Sequence, residues 1–251
     1  MSAYAGYVYE METTSPGQAP QIMHMEVQGG NLKLAMPATG GSVQGGSMIF
    51  LGSSKTLLMI DDARRQYMKL DQAAIDRIGS MLKAQMENIP PQQRAMVEQM
   101  MGGSFTPPTI EITDGKDKKD ISGYATNLKI VKVDGDKRSE NWVTDYDKIE
   151  GSREVAEIMQ EMASVLLSFM ETMPMAAKQG TEEIVLLKMF EQLGGFPVAT
   201  TSYKNGVKRD SSKLLSVKEV ELGTFGPPKG YREQKLDRGC RPGAITWFAF
   251  A

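Results

Sequence analysis

The 251-residue sequence predicts an α+β fold, in which a curved antiparallel sheet, shaped as a half-open β-barrel, carries Met-rich helices on its concave face. Three observations predict it. Short segments of β-like alternation are separated by turn-forming residues, as is typical of an antiparallel meander. Elsewhere the apolar residues recur about every 3.6 residues, which indicates amphipathic helices. Asp134-Gly135 and Asn205-Gly206, each flanked by β-formers, are strong hairpin signals.

The N-terminal part of the chain holds six predicted strands. Between them lie clusters of Gly, Ser, Pro, Asn and Asp, which supply positive φ angles or side-chain caps for tight turns. Because short turns join neighbouring strands, the strands must pair antiparallel. The predicted strands are Tyr4 to Glu12, Ile22 to Gln28, Asn31 to Met36, Ser47 to Leu51, Thr56 to Ile60 and Gln66 to Leu70.

Helices are predicted in two regions of the chain. Asp71 can cap a helix that runs to about Glu87. Pro90-Pro91 ends that helix and begins a second one, which Gly102-Gly103 stops. The two later helices are predicted over Ser152 to Met173 and over Thr181 to Leu193.

Strands are predicted again around the later helices. The order strands, helices, strands, helices, strands favours α+β over the regular alternation of a parallel sheet. Residues 1–236 are therefore predicted to form a single half-barrel domain with helical insertions at about 71–101 and 152–193, and residues 237–251 a C-terminal tail. The later strands are predicted over Ile110 to Thr113, Ile121 to Val133, Lys137 to Tyr146, Phe196 to Lys204 and Val207 to Leu222.

The charge pattern argues against a nucleic-acid partner. The formal net charge is −2, whereas nucleic-acid binders carry a basic field that neutralises phosphates. The densest basic stretch, Lys116 to Lys119, is interleaved with Asp117 and followed by Asp120, and we interpret it as a solvated turn. No run of about 18 apolar residues is present, so a membrane-spanning helix is not expected.

The residue inventory favours a protein that is not an enzyme. His24 is the only histidine and Cys240 the only cysteine, so neither an intramolecular disulfide nor a Ser-His-Asp, Cys-His or cysteine zinc site is expected. The Gly-rich stretch 40–46 lacks the Lys and the helix of a phosphate-binding loop. We expect no catalytic residues, no cofactor and no metal. Copper bound by thioethers is a weaker alternative, based on Met159-Gln-Glu-Met162 and Met170-Glu-Thr-Met173.

Three stretches of the chain resemble a family of bacterial secreted proteins known as domain of unknown function 4412. The pattern is also similar to the periplasmic lipoprotein carriers (LolA/LolB-like), which have a half-open antiparallel barrel plugged by helices. The resemblance implies a periplasmic or extracellular protein with a hydrophobic cavity, and a lipid anchor added after removal of a segment that preceded Met1 is one alternative. The family often has a Cys where this chain has Ala125, and it implies no catalytic residues. The three stretches are Ile49 to Met68, Ile121 to Thr144 and Leu193 to Tyr231.

The 19 methionines are concentrated in the predicted helices. Met is flexible and polarisable, so it fills irregular gaps in a core and also adapts to apolar ligands of varied shape. Ordinary core filling therefore stands beside the alternative of a ligand pocket. The predicted pocket lining is Met81, Met86, Met96, Met100, Met159, Met162, Val165, Phe169 and Met189.

Two functions follow as expectations. The first is a non-catalytic envelope protein that binds or carries a lipid or acyl chain in a cavity between sheet and helices. The second is a structural or protein-interaction module of the envelope, with another envelope protein as partner and no small ligand. The apolar segment Ile245 to Phe250 in the tail either pairs as a last strand or docks on the core.

Overall fold

The computed structural model describes residues 6–36, 46–87, 108–172, 189–190 and 192–234, which contain one twelve-stranded sheet, two α-helices with described bounds, and further helical residues at 189–190 and 192. The helices are α1 (Gln72–Glu87) and α2 (Ser152–Thr172). The strands are β1 (Gly6–Thr14), β2 (Gln21–Gln28), β3 (Asn31–Met36), β4 (Gly46–Leu51), β5 (Thr56–Asp61), β6 (Gln66–Leu70), β7 (Ile110–Ile121), β8 (Tyr124–Val133), β9 (Asp136–Thr144), β10 (Phe196–Lys204), β11 (Val207–Val220) and β12 (Arg232–Glu233).

The sheet consists of two meanders joined by its N-terminal strand. β1 to β6 pair in chain order, β7 to β11 do the same, and β1 pairs with β11 across most of the length of the chain. All pairs are antiparallel except β12 with β6. The end strands β12 and β7 do not pair with each other, so within the described ranges the sheet is open. The predicted antiparallel α+β class is confirmed in this coarser form.

Four hairpins close on two-residue turns in which both residues have positive φ. Two of them are the predicted Asp134-Gly135 and Asn205-Gly206, and a third is Gly29-Gly30. Positive φ at both central positions defines the type I′ turn, whose twist matches that of the flanking strands. The fourth turn, Ser122-Gly123, joins β7 to β8 and was not predicted.

The predicted solvated turn at Lys116 to Lys119 is wrong. These residues belong to β7, which continues from Ile110 to Ile121 and pairs with β8 on both sides of a bulge between Asp114 and Lys118. β7 is the last strand of the sheet, so its charged side chains stay in solvent while its backbone pairs with one neighbour. Charge interleaving, which suggested a turn, is also typical of an edge strand.

Helix α1 begins where the sequence predicts. The Ala74 amide donates to Asp71 Oδ1 at 2.8 Å, which is the expected N-cap, and the Lys69 ammonium lies 2.7 Å from Asp71 Oδ2. The hydrogen bond from Lys69, supported by the one from Ala74 and opposed by partial burial, lowers the pKa of the Asp71 carboxyl. Ala74 and Ile75 are buried below this cap.

Substitutions of Asp71 should distinguish the contribution of the N-cap hydrogen bond to stability from that of the ion pair with Lys69. Asp71→Ala loses both and should lower the free energy of unfolding by about 1 kcal/mol at neutral pH, whereas Asp71→Asn keeps a capping oxygen and should lose less. Because the folded pKa lies below the unfolded value, the carboxylate's contribution is complete above about pH 4 and is lost as the pH falls through the folded pKa. Urea titrations from neutral to acid pH measure the free energy of unfolding of each variant. If the wild type remained more stable than Asp71→Asn at low pH, the stabilising role of the carboxylate charge would be contradicted.

The main core lies between α2 and one face of the sheet. Along α2 the buried residues recur at helical spacing, from Val155 through Ile158 and Met162 to Phe169. They share one apolar cluster with fully buried strand residues such as Phe50 and with Ile75 of α1. Outside this cluster, the Glu154 carboxylate in the first turn of α2 accepts the Gly30 amide at 2.7 Å, which attaches the helix to the β2–β3 turn.

A smaller cluster occupies the opposite face of β4, β5 and β6. Ile49, Leu58 and Ile60 form it, and Phe225 and Tyr231 pack against it. These two aromatic residues lie in the chain that follows β11 and leads to β12, which adds a short parallel strand beside β6. The C-terminal part of the described chain therefore covers both a face and an edge of the first meander.

Parts of the predicted organisation lie outside the described residues. The second predicted helix, most of the helix predicted from Thr181, and residues 237–251 fall there. The domain limits of 1–236 and the tail stay predictions.

Candidate functional site

A row of methionines crosses the face of the sheet on which α2 packs. Directly paired residues follow one another from strand to strand, and their side chains lie on the same face. Met25 is buried, whereas the other three methionines of the row are half-buried. In strand order the pairs run Met25 with Leu34, Leu34 with Met48, Met48 with Met59, and Met59 with Met68; we call these four methionines the methionine row.

Tyr9 anchors the inner end of the row. It pairs with Met25, is fully buried, and stacks on Phe196 with the ring centroids 5.6 Å apart. Its hydroxyl donates to the Glu150 carbonyl at 2.6 Å. Burial, with a smaller contribution from the nearby Glu154 carboxylate, raises the pKa of the Tyr9 hydroxyl far above its usual value, so the group stays a neutral donor.

Helix α2 lies opposite the inner end of the row. Met162 belongs to the same buried cluster as Met25 and Leu57, and Met159 and Met48 pack against that cluster as half-buried residues. Thioethers therefore face this interface from both the helix and the sheet. Such side chains can shift to fit different apolar shapes without large strain.

The predicted lining residues do not all come together. Met159, Met162, Val165 and Phe169 lie in or against the main cluster on α2. Met81 on α1 is 38% exposed, and Met189 is buried in a separate cluster with Val131, Val143 and Leu193. Met96 and Met100 lie outside the described residues, and so does the side chain of Met86.

Met189 also faces the most buried polar group of the second meander. Asn141 is fully buried; its amide nitrogen donates to Ser139 Oγ at 2.8 Å and lies 3.8 Å from the Met189 sulfur. Its carbonyl oxygen accepts the Thr200 hydroxyl at 3.0 Å. Both ends of the amide are thus satisfied, as a buried polar group requires, and this position has a structural role.

The sequence interpretation overlooked the methionines on the strands. The helical methionines stand out because they cluster along the chain, whereas Met48, Met59 and Met68 occur singly on three different strands. The sequence interpretation lacked the register of the strands. Pairing through short hairpins places these three residues opposite one another. Alternation alone would have shown only that each lies on one face of its own strand.

Within the described part of the chain, no group of three His, Cys, Asp or Glu side chains is placed to hold a metal ion. Helices long and apolar enough to cross a membrane are also absent from those residues. The described structure is therefore a mostly antiparallel, open sheet. One apolar face of this sheet carries the methionine row and packs against the helices.

No family model matches the chain, and no curated protein does. Among solved structures the chain is similar to a LolA superfamily protein from Nitrosomonas europaea, with 8% sequence identity, 88% of each chain covered and a TM-score of 0.28. A likeness with so low a TM-score does not by itself establish a common fold. The resemblance to domain of unknown function 4412 stays a prediction.

Proposed function

We propose that this chain is a non-catalytic protein of the bacterial envelope that binds a lipid or another acyl chain between the methionine row and α2. The observation that carries the proposal is the row itself, in which Met48, Met59 and Met68 lie in register on the α2 side and are only half-buried. An apolar ligand that covered them would remove exposed apolar surface from water. The placement in the envelope rests on the sequence resemblance.

The dimensions of the row suit a long, narrow ligand. From β2 to β6 the row crosses four strand spacings of about 4.8 Å, or about 19 Å in all. A single acyl chain that lay across the strands would contact each methionine in turn. Because unbranched thioethers have three rotatable bonds, the same row accommodates chains of different length and unsaturation.

A fluorescent fatty acid tests the site directly. The full chain should bind the probe in a saturable manner, and Met48→Gln with Met59→Gln should weaken binding about tenfold, since a ligand would then have to desolvate two amides. Met81→Gln is the matched control, because Met81 lies on α1 outside the row. Glutamine has nearly the same length as methionine, so the shape of the site is preserved.

Two outcomes would contradict the proposal. One is an unchanged affinity in the double variant, and the other is an equal loss in the Met81→Gln control. Native mass spectrometry of the protein as purified adds an independent readout. A mass that includes a lipid supports binding, whereas a ligand-free mass with self-association favours the protein-interaction module instead.

A further inference from the structure

A cavity of about 710 Å³, lined largely by charged and polar residues, lies at the end of the second meander, away from the methionine row. It is formed by the last residues of β7, the first residues of β8, and the chain that leaves β9. Three lysines from two separate elements line it: Lys118 and Lys119 on β7, and Lys148 in the short 3-10 turn after β9.

The ammonium groups of these lysines are only partly compensated by neighbouring carboxylates, since Lys119 helps to lower the pKa of the Glu140 carboxyl, which is itself paired with Lys137. Within the described ranges, none of the three forms an ion pair. The Lys119 ammonium lies 4.6 Å from the centroid of the Trp142 ring, which positions the charge without cancelling it. Lys118 and Lys119 are successive residues of a regularly paired strand, so their side chains lie on opposite faces of the sheet, and Lys119 is the one that shares a face with its partner Thr126. Lys119 and Lys148 are therefore the two cations that raise the local potential for an anion in the cavity.

Two carboxylates also line the cavity, and they leave an excess of positive charge. Asp120 lies with Lys118 on the face opposite to Lys119, which leaves Asp145 as one negative charge against Lys119 and Lys148. One of the two is already engaged, because Asp120 Oδ1 accepts the amide of Gly123 at 3.2 Å in the β7–β8 turn.

A buried hydroxyl without a partner is a second, independent feature of the cavity. Thr144, the last residue of β9, lines it and is only 5% exposed, yet its side chain makes no hydrogen bond within the described structure. Thr126, another buried lining residue, is satisfied, since its hydroxyl donates to the Lys119 carbonyl at 2.8 Å. Buried polar groups are normally hydrogen-bonded, so an open one at a cavity wall points to a ligand.

We propose that this cavity binds a phosphate group, with Lys119 and Lys148 supplying charge and the Thr144 hydroxyl donating a hydrogen bond. Lysine binds phosphate as a point charge, and hydroxyl donors are common in such sites. The group comes either from free phosphate or from a lipid headgroup. Tyr124 favours the lipid headgroup as the source, because it lines the cavity and also packs against the main apolar cluster. The proposal does not depend on the acyl-chain site.

The test uses the full chain in two arms. Inorganic phosphate is titrated by calorimetry, and flotation measures binding to neutral phosphatidylcholine vesicles with and without phosphatidic acid. Lys119→Gln with Lys148→Gln should weaken binding about tenfold in whichever arm shows it. Thr144→Val should weaken it less while keeping the shape of the residue. The matched control is Lys208→Gln with Lys229→Gln, which removes the same charge from exposed lysines outside the cavity.

The outcomes separate the two sources of the ligand. Binding of inorganic phosphate that depends on the cavity lysines supports the site with a free anion. Binding only to vesicles with phosphatidic acid, with the same dependence, supports it with a headgroup. Failure of both arms, or an equal loss in the control variant, would overturn the proposal. Neither result bears on the fatty-acid probe at the methionine row.

Discussion

Replacing Gly151 with alanine is expected to lower the free energy of unfolding by about 2–5 kcal/mol. Gly151 has a φ of +71°, which costs other residues free energy, and it lies just before α2. An added methyl group would sit 2.9 Å from the Tyr9 hydroxyl oxygen and closer still to the Tyr7 ring. Because Cγ of Tyr7 is one of the atoms in conflict, rotation of the ring about its own axis does not relieve the clash.

Gly17→Ala is the matched control for this variant. Gly17 has a similar φ of +77°, but an added methyl group would meet nothing within 4 Å. It should therefore show only the backbone cost, about 1–2 kcal/mol. Chemical denaturation of both variants measures the difference. Equal losses would mean that the first turn of α2 does not press against Tyr7 and Tyr9 as closely as described.

Phe50→Ala should destabilise the protein by about 3–5 kcal/mol. Phe50 is fully buried on β4, and it belongs to the cluster that α1 and α2 share with the sheet. Removal of its ring leaves a cavity that the paired strands around it cannot close. Phe50→Leu keeps most of the volume and should cost about 1 kcal/mol.

The control for the core variant is Val207→Ala on β11, where the side chain is 62% exposed. Its loss should stay within about 0.5 kcal/mol. Thermal or urea unfolding followed by circular dichroism gives all three values. If Phe50→Ala behaved like Val207→Ala, the contact between the helices and this face of the sheet would be refuted.

The local parts of this fold could be predicted from the sequence because they depend on neighbouring residues. Asn205-Gly206 and Asp134-Gly135 determine type I′ hairpins through their own φ preferences. Asp71 and the periodic apolar residues after it determine where α1 begins. Several strands begin and end within one or two residues of the predicted bounds.

The long-range parts could not be predicted in the same way. The pairing of β1 with β11 joins residues some 200 positions apart, and no local pattern specifies that partner. The methionine row depends on the register of five successive strands, so it became visible only when they were aligned. Lys118 and Lys119 were noticed but assigned to a turn, because an edge strand and a turn both tolerate interleaved charges, whereas Lys148 was not singled out.

The two edge strands of the sheet hinder pairing between copies of the chain. At one end, β12 occupies hydrogen-bonding positions of β6, with the Arg232 amide donating to the Arg65 carbonyl at 3.1 Å. At the other end, an incoming strand would have to desolvate the exposed lysines and aspartates of β7 before it could pair. One border is thus covered and the other is charged, and both arrangements oppose edge-to-edge aggregation into fibrils.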